Sequence, residues 1–306
     1  MYQLDCSPDV HQIVRSRFVV VWEKACRAVA NNSVKLVVGE TYVFLASHMK
    51  ARELIKAGEI GRPLQVRQRH ASWVRRQRRR AKRQNASEGW RMDGVKSGGG
   101  DYPWIFDHAV HFFAAAEFFM LDQKINEVYS VTGTCQRRRR TEGGSPEASY
   151  AVPEADVPII SWTFENSDCQ GVWMRSEPLN GKFDFMNGFS TQIIGETGMI
   201  EVLGEGGHNL IWEGQQQHLV LHRDGKETQC FRFEEGGDDM WDSEISYYGQ
   251  GHMNQVHHLI DCILEDRTPN YGGEEGTHAV RCTLAAIRSA QEGRQVQVQE
   301  IGEAFT

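Results

Sequence analysis

The apolar positions of this chain follow two rhythms that change near residue 63. Before that point they come in runs. Phe18 to Trp22 is an unbroken apolar stretch, and the mixed segment Cys26 to Ala30 reads equally as strand or helix. Val34-Lys35-Leu36-Val37-Val38-Gly39 is β-branched and closes on Gly, which predicts a buried strand. A helix is predicted after it, with Ser47 as N-cap and Met49, Leu54 and Ile55 on one face. It should stop within Ala57-Gly58-Glu59-Ile60-Gly61-Arg62-Pro63, where Gly ends a helix and Pro opens the next extended segment.

From Leu64 onward, short alternating runs recur. They lie at Leu64 to Arg69, Ile125 to Thr132, Ile159 to Phe164, Gly171 to Ser176, Thr191 to Ile194, Met199 to Leu203, Asn209 to Trp212 and His218 to His222. Such runs, parted by Gly, Asp and Asn turns, predict a mostly antiparallel sheet. Helices interrupt near Trp104 to Met120 and Met253 to Glu265. A last helix fits Thr277 to Glu292, with Val280, Leu284 and Ile287 on one face and Gly293 at its end. The fold expected is α+β: an open, mostly antiparallel sheet with helices on one face. Gly143 to Pro158 is expected to be a long mobile loop.

Composition narrows the class. The 306 residues are 40% hydrophobic and 25% charged with 30 Gly and 8 Pro, which excludes disordered, collagen-like and disulfide-stapled chains. The net charge of −7 leaves no global basic field for nucleic acid or anionic lipid. No apolar run approaches the ~20 residues of a transmembrane helix. The opening MYQLDCSPDV lacks the basic start and apolar stretch of a signal peptide. Seven scattered cysteines without a CxxC spacing read as reduced thiols. A cytoplasmic protein with no membrane partner is expected.

The strongest chemical constellation is Ser97-Gly98-Gly99-Gly100 followed by Asp107-His108-Ala109-Val110-His111. On a helix, Asp107 and His111 share a face. Glycines before a helix let backbone approach a ligand, and a carboxylate beside an imidazole orients an acid/base catalyst. The same pair also serves as a plain helix-face ion pair.

Several segments in order resemble the Gfo/Idh/MocA oxidoreductases. They are Val34 to Gly39, Ala51-Arg52-Glu53-Leu54-Ile55, Ala57-Gly58-Glu59-Ile60-Gly61, Gly89-Trp90-Arg91, Ser97 to Gly100 and Asp107 to His111. Ile194-Gly195-Glu196-Thr197-Gly198-Met199-Ile200 and Ile263-Leu264-Glu265-Asp266-Arg267-Thr268-Pro269 continue the series. The resemblance implies a Rossmann domain that binds NAD or NADP, then an α/β domain that carries the substrate face and the oligomer contact. It implies sugar- or polyol-like substrates and a homo-oligomer formed through the sheet. Carried onto this chain, His111 and Asp107 become the catalytic pair. Tyr42, Trp90, Arg91 and Trp104 would bind substrate, Arg91 and Tyr42 also cofactor, and no metal is implied.

The chain departs from that family where the cofactor should bind. No G-x-G-x-x-G turn exists in the sequence, and no E-K-P, for which Glu23-Lys24-Ala25 is the nearest approach. Cys6-Ser7-Pro8-Asp9-Val10-His11 resembles a segment late in the family's Rossmann half, so about 100 preceding residues would be missing. Residues 1–62 are then expected to be a remnant of the dinucleotide-binding domain, and residues 63–306 the substrate and oligomerisation domain. Three readings follow: an NAD(P)-linked sugar or polyol dehydrogenase impaired by truncation, a sugar-binding or assembly subunit without catalysis, and a redox-neutral lyase or isomerase.

Other signals carry less. The basic runs Arg75 to Arg83 and Arg137 to Arg140 read as solvated loops, since the net charge disfavours a nucleic-acid partner. His252, His257, His258 and Asp261 match no zinc spacing and read as a polar helix face. Trp73, Trp162, Trp173, Trp212 and Trp241 read as core or interface aromatics, while Trp90 and Trp104 flank the glycine turn and would wall a sugar site.

Overall fold

The computed structural model describes residues 22–32, 34–71, 99–135, 155–176, 189–203, 219–233 and 247–303. The alternating runs become β1 (Pro63–Ala71), β2 (Ile125–Cys135), β3 (Ala155–Phe164), β4 (Gln170–Ser176), β5 (Phe189–Gly195), β6 (Gly198–Leu203) and β7 (Leu219–Arg223). Two short strands, β8 (Gln229–Phe231) and β9 (Val296–Gln297), complete one sheet in the order β8-β7-β6-β5-β1-β4-β3-β2-β9. Among the described residues only β1 and β4 pair in parallel. The two short strands escape a periodicity search because three and two residues are too few to display alternation. The run at Asn209 to Trp212 lies outside the described residues, as does most of the loop expected at Gly143 to Pro158. The last four residues of that loop instead begin β3. Pro158 is tolerated there because β3 pairs with β4 only from Ile159 onward, so no donor is missed on that side.

Alternation decides what each face presents. Val66, Ile160, Trp162, Trp173, Ile193, Ile200 and Leu221 point into the core. Gln68, His70 and Arg175 occupy the same inward register and are also buried. On the other face Val131 pairs with Ile159, and Ile159 with Met174, to form an apolar row across three strands. Val131 and Ile159 are each about half exposed.

The helices cover the inward face. Residues 22–31 form α1, followed by α2 (Ala46–Lys56), α3 (Val110–Phe119), α4 (Tyr247–Leu264) and α5 (Gly273–Glu292). Every residue of α3 from Phe112 to Phe119 is buried, which suits a helix sealed on all sides. It lies against α2, α5 and β1. The buried arc of α5 is wider than Val280, Leu284 and Ile287 suggest, since it also takes in Ala279, Cys282, Thr283 and Ala286. Gly293 closes α5 in the left-handed region at φ 64°. Beyond the two-residue β9, the free backbone N–H of Ser130 donates to Ser289 Oγ at 2.9 Å, which ties β2 to the end of α5.

Two expectations for the N-terminal segment fail. Residues 34–40 join no sheet, the Glu40 N–H turns back to Val38 O at 2.7 Å, and Val34 is 55% exposed. Among the described residues no strand precedes Pro63. The apolar run is covered from one side by α5: Val38 N–H donates to Tyr271 O, and Gly276 leaves room for the Val38 side chain. Composition signals a need for burial, not which element satisfies it. Ser47 does not cap α2 either. The residue before the helix is Leu45, which makes no side-chain cap bond, and Ser47 is buried one position inside. Ala57 and Gly58 end the helix where expected, Gly58 at φ 77°. The ambiguous Cys26 to Ala30 lies within α1, whose Trp22 Nε1–H donates to Gly273 O at the start of α5.

Two predictions arise from this packing. Trp162 and Gly171 are paired across β3 and β4, and a Cβ on Gly171 would sit 2.2 Å from the Trp162 ring. Gly171→Ala should therefore destabilise the protein by about 1–3 kcal/mol, read as a lower urea midpoint at unchanged m-value. The second concerns two buried histidines. Burial pushes the His48 imidazole down to about 4, and burial with the Arg175 charge pushes His70 well below its usual range. In the unfolded chain both titrate near 6.5. The unfolded state thus binds more protons between pH 6.5 and 4, so stability should fall with pH across that window. Each histidine contributes up to about 1.4 kcal/mol per pH unit. Urea melts at pH 7, 6 and 5 test this, and a flat series would refute it.

Candidate active site

The site begins with a carboxylate where none is expected. Glu40 follows the apolar run and is 6% exposed. Its Oε1 accepts the backbone N–H of Tyr42 at 3.1 Å, which caps the single 3-10 turn Thr41–Phe44. Both carboxylate oxygens lie 2.8 Å from His111 Nδ1. A neutral imidazole therefore presents Nδ1–H to Glu40. Nε2 is then the ring nitrogen on the side away from Glu40, and the side chain is 36% exposed.

Tyr42 fixes the ring plane. It stacks on His111 with centroids 5.2 Å apart and planes 26° apart, and meets Phe112 and His48 edge-on. The backbone of Tyr42 is held in turn by His48, whose Nδ1–H donates to Tyr42 O at 2.6 Å. His48 Nε2 is buried with no hydrogen-bond partner, the physical reason this imidazole resists a second proton. Opposite the turn, Gly39 faces α4. A Cβ there would meet Gln255 Oε1 at 2.7 Å.

A second cluster adjoins the first. A π turn, Ile105–Ala109, leads into α3 and carries Asp107 and His108. Asp107 Oδ2 lies 3.2 Å from His108 Nδ1. The His108 ring packs on Trp104 and on His70, each with centroids 4.8 Å apart. Arg175 lies over the Trp104 ring at 3.9 Å, and its Nη1 reaches the His70 ring nitrogens at 3.2–3.3 Å. His111 is close enough to add to the electrostatic load on His70. An inward-facing polar group from each of β1 and β4 therefore meets the start of α3.

Of the residues singled out from the sequence, Tyr42 and His111 are in contact, and Asp107 and Trp104 stand one turn earlier at the second cluster. Trp90, Arg91 and both basic runs lie outside the described residues. Of the glycine turn, Gly99 and Gly100 are described. Gly100 has φ 58°, and a Cβ on Gly99 would strike Pro103 Cα at 2.8 Å, so here small size serves the turn itself. Glu40, His70 and Arg175 were not singled out. For the strand residues a signal existed: each places a polar side chain at an inward position of an alternating run. For Glu40 there was none beyond its place after Gly39.

On α4, His257, His258 and Asp261 line a cleft of about 260 Å³ with Val43, Phe44, Met49, Phe118, Asn254 and Asn270. His258 Nε2 accepts the Asn270 backbone N–H at 2.9 Å, which accounts for it as a structural group. Among the described residues no helix is long and apolar enough to cross a membrane.

Residues 52–298 match the family described as "Oxidoreductase family, C-terminal alpha/beta domain", Gfo/Idh/MocA. No curated protein sequence is significantly similar. Solved structures are similar in fold. Levoglucosan dehydrogenase, in complex with NADH and levoglucosan, is 18% identical with a TM-score of 0.64, over 92% of this chain and 70% of that one. The aldose-aldose oxidoreductase of Caulobacter crescentus, complexed with glycerol, is 20% identical with a TM-score of 0.59, over 91% and 68%. An oxidoreductase domain protein from Kribbella flavida is 20% identical with a TM-score of 0.65, over 92% and 71%. The family match runs through all nine strands and the helix that bears His111, and on that ground this chain belongs to the Gfo/Idh/MocA oxidoreductase family.

Proposed function

We propose that the chain acts in the oxidation of a secondary hydroxyl on a sugar- or polyol-like substrate, with His111 as the group that takes the hydroxyl proton. The observation that carries this reading is the buried Glu40 carboxylate held at 2.8 Å from His111 Nδ1 beneath the Tyr42 ring. Such a dyad fixes one tautomer, turns Nε2 away from the carboxylate, and stabilises the imidazolium once the proton arrives. The carboxylate does most where water is excluded, and Glu40 is buried. Asp107 lies beside His108 one turn earlier, and Trp104, packed between Arg175 and His108, backs that part of the site. Tyr42 is a positioning residue, since its ring is occupied by His111, His48 and Phe112. Levoglucosan and glycerol in similar structures fit the proposed substrate class.

Oxidation of a carbinol also needs a hydride acceptor, and the family implies NAD or NADP. NADH is present in one similar structure and NAD+ in another. The described residues do not fit the pyrophosphate of such a cofactor. The N-terminus of α2 is closed, with Leu45, Ser47 and His48 all buried, and the approach to it carries the Glu40 carboxylate in place of a glycine cradle. No step is therefore assigned to contacts between these residues and a dinucleotide.

The open sheet face supports a second element of the proposal, association of two copies through the row Val131, Ile159 and Met174. An exposed apolar row across three strands is a common mark of an interface.

Two measurements test these readings. In a screen of sugars and polyols with NAD+ and NADP+, His111→Ala should lower kcat/KM by about 10²–10⁴-fold. Glu40→Gln should shift the pH profile while the fold, followed by circular dichroism, is kept. Turnover that survives His111→Ala would remove His111 from the mechanism. Thermal stabilisation by a sugar without turnover would leave the binding reading, and absence of both would leave the assembly reading. For the second element, Ile159→Asp should convert the oligomer to monomer in light scattering without loss of folding, and an unchanged mass would refute the interface.

A further inference from the structure

Two turns beyond His111 on α3, a cluster of different chemistry is buried. Glu117 from α3 meets His278 and Cys282, which stand four residues apart on one face of α5. Glu117 Oε1, His278 Nδ1 and Cys282 Sγ all lie within 4.8 Å of one another. Among the described residues this is the one cluster that brings three such ligand atoms together. Glu117 Oε1 is 2.6 Å from His278 Nδ1, and Cys282 Sγ is 3.6 Å from the same nitrogen. None of these groups belongs to the Glu40–His111 dyad.

We propose that Glu117, His278 and Cys282 form a site for a borderline-soft divalent cation of the zinc type, which staples α3 to α5. The geometry is close to what such an ion needs. With metal–sulfur and metal–nitrogen bonds of about 2.3 and 2.0–2.1 Å, tetrahedral ligands stand roughly 3.5 Å apart. The sulfur–nitrogen edge already has that length, at 3.6 Å, and the oxygen–nitrogen edge is the shorter one, at 2.6 Å; Glu117 Oε1 also accepts the Ile125 backbone N–H at 3.0 Å, which anchors the carboxylate beside the cluster. One oxygen, one nitrogen and one sulfur form a donor set suited to zinc rather than to magnesium or calcium.

The surroundings agree. Cys282 and Glu117 are both buried, so a bound dication would meet them away from bulk water and would take the sulfur as thiolate. On binding, the thiol releases its proton and His278 presents Nδ1 as a lone pair. Lys124 Nζ stands 3.4 Å from Glu117 Oε2, the oxygen turned away from the cluster, and its side chain is 23% exposed, so it can swing outward. The His278 side chain is 17% exposed, so one edge of the cluster reaches solvent, and water would complete the ligand set.

The test uses untagged full-length protein and the metal alone. Dialysed protein should bind one equivalent of zinc by elemental analysis, with release of about one proton per ion in calorimetry run in two buffers. Cobalt(II) in place of zinc should give a thiolate-to-metal charge-transfer band. Cys282→Ser and Cys282→Ala should abolish the band while circular dichroism stays native. His278→Gln should weaken binding by at least about 100-fold, the upper range for loss of a mere second-shell partner. Cys262→Ser should change nothing. Zinc well below one equivalent, or a band that survives in a folded Cys282 variant, would overturn the proposal.

Discussion

One buried carboxylate organises the site. Glu40 sits in a connecting segment, where charge is normally left to water, yet it is enclosed between the 3-10 turn and α3. A carboxylate without partners at such a place costs several kcal/mol, so the surrounding chain must supply donors. Tyr42 N–H supplies one and His111 the other. The demand runs both ways. Glu40 fixes the Nδ1 end of His111, and His111 in turn offsets the cost of burying Glu40 at the head of α3. Tyr42 then closes the arrangement, because its ring covers the imidazole and its carbonyl engages His48.

The rest of the architecture makes that contact rigid. An α3 buried along its length cannot rotate or slide without moving Phe112, Phe113 and Phe119 through the core. The sheet beneath it contributes polar groups at inward positions, Gln68, His70 and Arg175, where apolar side chains would have packed at lower cost. Arg175 spreads its charge over Trp104 and His70. Burial of that kind opposes protonation of His70, so the second cluster keeps neutral imidazole close to the dyad.

Much of the fold was legible in the residues. Seven of the alternating runs, from Leu64 onward, became strands within a few residues of their expected bounds, because an inward-outward period of two is written directly into side-chain polarity. The helices near Trp104, Met253 and Thr277 followed from apolar spacing, and Gly58 and Gly293 ended helices through their positive φ. The apolar run Val34 to Gly39 misled because hydrophobicity fixes burial and leaves the partner open. Ser47 misled because capping depends on where the helix begins, a boundary set here by packing of Leu45 and the preceding turn.

By itself the sequence determined the α+β class, the position of the elements and the Tyr42 and His111 candidates, since these depend on local periodicity and on the order of short segments. Only the tertiary structure decided that Glu40, 71 residues away, is the carboxylate on His111. It alone brought His70 to Arg175 across the parallel pair β1–β4, 105 residues apart, and Glu117 to His278 and Cys282. Contacts between residues so far apart along the chain are set by strand order and helix docking, and no local pattern encodes which distant side chain a buried charge will find.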